Sequence, residues 1–158
     1  MSHPFADLID LRIDEQSAGS STLSLTVAEH HLNPHKVVHG AVIYALADTG
    51  MGSALYPTLA AGEICATIEI KINYFKPIAT GHLLCNTQIV NRGKTVANLE
   101  SRIYLEKVLV AQANGNYAIF RPRQAEAQPG SAPDARTSFD KVDTSTQRTT
   151  QRLIQCPG

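Results

Sequence analysis

The chain has 158 residues, 43% of them hydrophobic and 18% charged, which suits one globular domain and excludes wholesale disorder. Fourteen basic residues balance fourteen acidic ones, so the surface lacks the positive excess that nucleic acid or an anionic membrane attracts, and neither is expected as a main partner. The first residues hold no basic segment followed by a long apolar run, so no signal peptide is expected, and the expected address is the cytoplasm.

Residues 2–9 (SHPFADLI) predict a short opening helix with Phe5, Leu8 and Ile9 on one side. Residues 22–28 alternate, with Leu23, Leu25 and Val27 pointing one way, which predicts a half-buried strand. A loop follows over 30–38, because Asn33-Pro34 is a turn signal and disfavours helix at Asn33. Residues 40–56 (GAVIYALADTGMGSALY) predict one long helix that is apolar almost all the way round, hence buried. Its interior glycines, Gly50 and Gly52, each cost about 1 kcal/mol relative to alanine, and close approach of a surrounding sheet would offset that cost. Pro57 ends the helix.

From there the pattern is of strands. Residues 66–75 alternate Ile68, Ile70, Ile72 and Tyr74 against Thr67, Glu69, Lys71 and Asn73. Further strands are predicted at 82–91, 95–106 and 108–120, with turns at Pro77, at Gly81 and over 92–94. Strands following one another through short turns imply an antiparallel meander, and with one buried helix they give an α+β domain in which the sheet wraps the helix. The domain is expected over 1–122, and the polar, small-residue-rich stretch 123–158 reads as a tail.

Asp48 is the strongest chemical signal, because an ionised carboxylate in an apolar helix costs several kcal/mol (about 3–5 when its partner is removed) and so needs a partner or a task. Asn33 and His39 lie in the preceding loop, and Gly40 opens the helix, where free N–H groups and the positive dipole end face a ligand. Such donors could hold a carbonyl oxygen as it becomes an oxyanion. Gly40 and Asp48 are separated by about 12 Å of helix rise at ~1.5 Å per residue, too far for one small group to meet both. A second copy of the chain could join them.

Several other chemistries find little support. His31, His35 and His39 are spaced by four, but Pro34 argues against a helix there and no acidic or cysteine ligand accompanies them, so no metal is expected. No GxSxG elbow, P-loop or dinucleotide fingerprint occurs. Cys65 and Cys85 sit in apolar strand-like runs and read as reduced core residues, and Cys156 leaves the count odd.

The order Asn33, His39-Gly40-Ala41, Leu46-Ala47-Asp48 resembles the Asn…His-Gly-Gly…Leu-Ala-Asp signature of PaaI-type hotdog thioesterases. Thr67-Ile68-Glu69-Ile70, then Tyr74-Phe75-Lys76-Pro77, and the Gly93-Lys94-Thr95 turn are also similar to that family, so the likeness runs over 5–121. The resemblance implies a hotdog fold, an antiparallel sheet wrapped around one long central helix. It also implies hydrolysis of an acyl-CoA thioester without metal or organic cofactor. By position, Asp48 would activate the attacking water or attack directly, and Gly40 N–H and Asn33 would polarise the thioester carbonyl. His39 would fix the loop and substrate, and Thr67 would help orient water. The sites would lie across a dimer interface, in a homodimer or a homotetramer of two dimers. Apart from the resemblance, Arg92, Gly93, Lys94 and Thr95 form a turn whose N–H groups and cations could meet the phosphates of CoA, the alternative being a solvated hairpin with no ligand.

Two positions depart from the pattern: Ala41 replaces the second glycine, and Thr67 adds a methyl group where serine is usual. The alternatives within the fold are an enoyl-CoA hydratase or dehydratase and a non-catalytic acyl-CoA-binding module.

Overall fold

A computed structural model describes residues 3–122; the expected tail at 123–158 lies outside the described residues. The order of elements is α1 (Pro4–Leu8), β1 (Arg12–Ser17), β2 (Ser20–Thr26), α2 (Gly40–Leu55), β3 (Ile64–Tyr74), β4 (His82–Arg92), β5 (Val96–Leu105) and β6 (Val108–Phe120). A 3-10 turn, Tyr56–Thr58, takes up Pro57 and closes α2, and another lies at Glu29–His31 before it. Among the described residues no helix is long and apolar enough to cross a membrane.

All strands pair antiparallel in one six-stranded sheet, in the order β1-β2-β4-β5-β6-β3. This sheet and the long helix are the predicted α+β architecture, the hotdog fold. The simple meander is corrected. β4, β5 and β6 do follow one another, but β3 pairs with β6 at the far edge rather than with β4. Connection length explains the difference. Three residues (93–95) and two (106–107) join the meander strands and force neighbours to pair, whereas seven (75–81) separate β3 from β4 and allow a crossing.

Two N-terminal elements are not written in the apolar pattern. Phe5 and Leu8 are exposed, and Ala6 is the buried residue of α1, because five residues cannot present a wide apolar face. β1 is a strand although its sequence, RIDEQS, shows no apolar alternation: it is exposed along its whole length and is held by its pairing with β2.

The concave face of the sheet carries Leu23 and Leu25 from β2, Leu83 and Cys85 from β4, Leu99 and Ile103 from β5, all buried against α2. Leu46, Ala47, Met51, Ala54 and Leu55 are the helix side of that core, each fully buried. Hydroxyl and thiol groups on the same face stitch strand to helix. Ser21 Oγ donates to the Gly50 carbonyl at 2.8 Å, Cys85 Sγ to Leu46 at 3.5 Å and Ser101 Oγ to Ala47 at 3.3 Å. These groups need partners once buried, and the helix carbonyls supply them.

The glycines of α2 divide. A Cβ on Gly50 would come 2.6 Å from Thr87 Oγ1 and 3.5 Å from Cys85 Sγ, so here the sheet does demand glycine. Gly52 has nothing within 4 Å of its would-be Cβ and lies on the side of the helix the sheet leaves open.

The unbroken alternation expected in β3 is also corrected. A β-bulge lies between Thr67 and Glu69, so Thr67 opposes Tyr117 while Glu69 opposes Asn116. The extra residue, Ile68, is turned out and is 57% exposed. Before the bulge the odd-numbered side chains face α2, and after it the even-numbered ones do, which brings Thr67 to the same face as Ile70 and Ile72.

Candidate active site

The carboxylate of Asp48 sits midway along α2, half-buried, where the sheet curls past the helix. Thr67 and Tyr117 face each other across the β3–β6 ladder, so their side chains rise together toward it. Thr67 Oγ1 donates to Asp48 Oδ1 at 2.9 Å, and the Tyr117 hydroxyl lies 2.5 Å from the same oxygen and 3.0 Å from the Asp48 carbonyl. Asp48 Oδ2 has no hydrogen-bond partner among the described residues. Burial, with the neighbouring carboxylate adding to it, pushes the Tyr117 phenol well above its ordinary range, so it stays protonated as a donor.

Tyr117 is a site residue that sequence reasoning missed. A usable signal existed: inward positions of β6 read Ala111, Ala113, Gly115, Tyr117, Ile119, a single polar tip in a row of small and apolar residues. A buried tyrosine hydroxyl requires a partner.

At the N-terminus of α2 the loop residues assemble separately. Asn33 Oδ1 accepts the backbone N–H of His35 at 2.8 Å, which closes a turn around Pro34 and leaves the side-chain amide N–H groups without an acceptor among the described residues. His39 caps the helix: its Nδ1 accepts the Ala41 N–H at 3.0 Å, which leaves Nε2 exposed at the surface. The Gly40 N–H has no acceptor among the described residues. Tyr74 donates to the Gly40 carbonyl at 3.1 Å, and its ring lies 3.3 Å from where a Cβ of residue 40 would sit, so only glycine admits this contact without a shift. A cleft of about 270 Å³ opens here, lined by Gly40, Ile43, Tyr74, Phe75, Lys76 and Ile78.

The predicted residues thus fall into two groups, Asp48 with Thr67, and Asn33, His39 and Gly40 at the helix start. Eight residue steps of helix, about 12 Å at ~1.5 Å per residue, separate Gly40 from Asp48. Within the described residues of one chain the two groups are not brought together.

The turn after β4 is a third location. The Arg92 guanidinium lies 3.6 Å from Glu63 and bonds Thr58 Oγ1 at 3.3 Å, so it ties the segment after α2 to the sheet. The Gly93 N–H is bonded to the Val96 carbonyl at 2.9 Å, and a Cβ there would lie 2.7 Å from that oxygen. Lys94 and Thr95 are exposed, and neither side chain has an internal hydrogen bond among the described residues.

Of the histidines weighed for metal, His31 is buried with both nitrogens used: Nδ1 accepts from Ala28 N–H and Nε2–H donates to the Ile9 carbonyl, each at 2.9 Å. It approaches Asp10 and His30, but ligation would break one of those bonds. Cys85 is buried, as expected, and burial pushes its thiol up to about 11.

A carboxylate fixed by neutral donors and a free Gly40 N–H at the helix start lie on a long α-helix wrapped by an antiparallel sheet, a hotdog scaffold. The profile of the thioesterase superfamily matches residues 35–112. An inferred esterase of Archaeoglobus fulgidus is 32% identical over 111 residues, 69% of this chain and 70% of that protein. Among solved structures, a mutant of the phenylacetic acid degradation protein PaaI from Thermus thermophilus is 24% identical, with a TM-score of 0.69 over 73% of this chain and 98% of that one. A thioesterase of Haemophilus influenzae has a TM-score of 0.72 at 19% identity, over 77% of this chain and 86% of that one. The two structures support the fold. The chain belongs to the thioesterase superfamily, and thioester hydrolysis is the general activity that goes with that membership.

Proposed function

We propose that the protein hydrolyses acyl-CoA thioesters to the free acid and CoA, at sites shared between two copies of the chain. The observation that carries this reading is the carboxylate of Asp48, aligned by Thr67 and Tyr117 yet separated from the free Gly40 N–H of its own helix. A second copy supplies the missing half if its helix start meets this Asp48.

Two features favour such pairing. β3 is an eleven-residue edge strand whose outer backbone groups have no partner in the described chain, and Ile64, Ile68 and Tyr74 in it, with Phe75 just after it, are exposed. A long unpaired edge of this kind is a template for strand addition, although Glu69 and Lys71 on it are exposed as well. The open side of α2, with Ala41, Tyr44, Asp48 and Gly52 incompletely covered, borders that edge. A homodimer joined at β3, or a homotetramer of two such dimers, is the assembly proposed.

In the reaction, Gly40 N–H and the Asn33 amide of one copy hold the thioester carbonyl oxygen. Asp48 of the other takes a proton from water as the water oxygen bonds to the acyl carbon. Collapse of the tetrahedral species breaks the C–S bond, and the proton passes to the departing sulfur, giving acid and thiol. General-base help is worth ~10² to 10⁴ in rate, and each oxyanion donor about 3 kcal/mol. His39 holds the donor loop. Lys94 and Thr95 offer their free side chains to the CoA phosphates, Arg92 and Gly93 shaping the turn that presents them. Water is the second reactant, so the chemistry calls for no cofactor. The hydratase alternative needs a histidine working with the carboxylate, and none of the described partners of Asp48 is a histidine.

The test is CoA release from a panel of acyl-CoAs, followed with a thiol reagent, for wild type and Asp48→Ala, with sedimentation to establish assembly. A fall of at least ~100-fold in a folded, dimeric Asp48→Ala supports the reading. Equal rates in both proteins, or no release from any ester, would sink it and bring the binding-module alternative forward.

A further inference from the structure

We propose that Tyr117 is a positioning residue for the hydrolysis, one half of a two-donor clamp that occupies Asp48 Oδ1 and leaves Oδ2 as the reacting oxygen. The inference rests on the proposed hydrolase reading and adds to it which atom reacts and what holds it.

The geometry is specific. Thr67 and Tyr117 are direct partners in the β3–β6 ladder, and both reach the same carboxylate oxygen, at 2.9 and 2.5 Å. A carboxylate oxygen has two lone pairs, so two donors saturate Oδ1, and no described residue engages Oδ2. An aspartate on a helix turns about two side-chain torsions, the outer of which is broad. Two donors from a rigid sheet on one oxygen remove that freedom and keep the free oxygen aimed away from the sheet. The bulge after Thr67 is what allows the arrangement, because without it either Thr67 or the run from Ile70 would turn away from α2.

Tyr117 suits the task better than a second threonine. It is 3% exposed, its ring is wedged between sheet and helix, and its hydroxyl also approaches the Asp48 carbonyl at 3.0 Å. The phenol has one hydrogen, which goes to the nearer Oδ1, while the carbonyl contact keeps the hydroxyl close to the helix backbone. The phenol also remains protonated across the working pH range, since burial and Asp48 push its ionisation up. Thr67, exposed and with lone pairs still free after donating its single hydrogen, can also accept a hydrogen bond from the attacking water.

The experiment is a double-mutant cycle of Tyr117→Phe and Asp48→Asn, measured as kcat and KM on an acyl-CoA that wild type hydrolyses, with melting temperature and sedimentation for each protein. Phenylalanine keeps the ring and removes the donor. The clamp requires a fall in kcat of about 10- to 100-fold for Tyr117→Phe with KM nearly unchanged, and no further fall when it is added to Asp48→Asn. Wild-type kcat in Tyr117→Phe would overturn the inference and leave the hydrolase reading intact. So would an equal proportional loss in both backgrounds, or a rise in KM that accounts for the loss, since these mark a merely structural tyrosine. Absence of turnover by wild type on every ester would overturn both together.

Discussion

Replacing Gly50 with alanine isolates the contact on which the wrapping of the helix depends. Alanine is the better helix former by about 1 kcal/mol, so an isolated helix would gain from the change. In the fold, the new methyl would lie 2.6 Å from Thr87 Oγ1 and 3.5 Å from Cys85 Sγ, and the first separation is not attainable. Thr87 cannot swing aside at small cost. It is β-branched and so stiff about its first torsion, and turning it would break the buried bond between its Oγ1 and Ser101 Oγ at 2.7 Å. Overpacking of this kind costs ~1–3 kcal/mol, and disturbing the buried hydroxyl pair adds ~1. Set against the helical gain, a net loss of about 1–3 kcal/mol is expected, or a melting temperature lower by roughly 2–12 °C for a chain of this size. Urea and thermal unfolding measure it directly. Thr87→Ala should be destabilising alone, because it leaves the buried Ser101 hydroxyl only its longer bond to the Ala47 carbonyl, yet Gly50→Ala with Thr87→Ala should lie at least ~1 kcal/mol above the sum of the two. A Gly50→Ala protein as stable as wild type, or more so, would refute the close approach of β4 to α2.

Thr67→Val keeps the shape of the side chain and loses the hydroxyl, so kcat should drop about 10- to 100-fold, while Thr67→Ser stays near wild type; steady-state kinetics on one ester separates them. Lys94→Ala should raise KM for CoA esters by about threefold, with little change for a thioester lacking the nucleotide, as fits an exposed ion pair of ~0.2–1 kcal/mol. Burial raises the Cys85 thiol from its usual 9 to about 11. The native state then keeps a proton that the unfolded chain releases between those values, so stability is full below pH 9 and declines as pH rises toward 11. Cys85→Ser does not titrate there and can keep the bond to the Leu46 carbonyl, so its unfolding free energy should fall less steeply over that window.

Much of this protein is legible in the sequence. The apolar, glycine-bearing run of 40–56 could only be a buried helix, and it is one over Gly40–Leu55. The period-two runs gave β4, β5 and β6 nearly to the residue, since strands with one buried face write their orientation into alternation. Asp48 stood out because a carboxylate in that run needs a partner, and His39 and Gly40 because they begin the helix.

What the sequence left open depends on contacts between distant segments. β1 has no pattern of its own and exists by pairing with β2. β3 lies beside β6 because its connections are long enough to cross the sheet, a choice that no local alternation records. The bulge at Thr67 inverts the facing of half a strand, since one extra residue shifts a period of two to the opposite side, and so Thr67 and Ile70 both meet the helix. Tyr117 joins Asp48 from 69 positions away for the same reason: its partner in the ladder is Thr67, and only the folded sheet puts two donors on one oxygen.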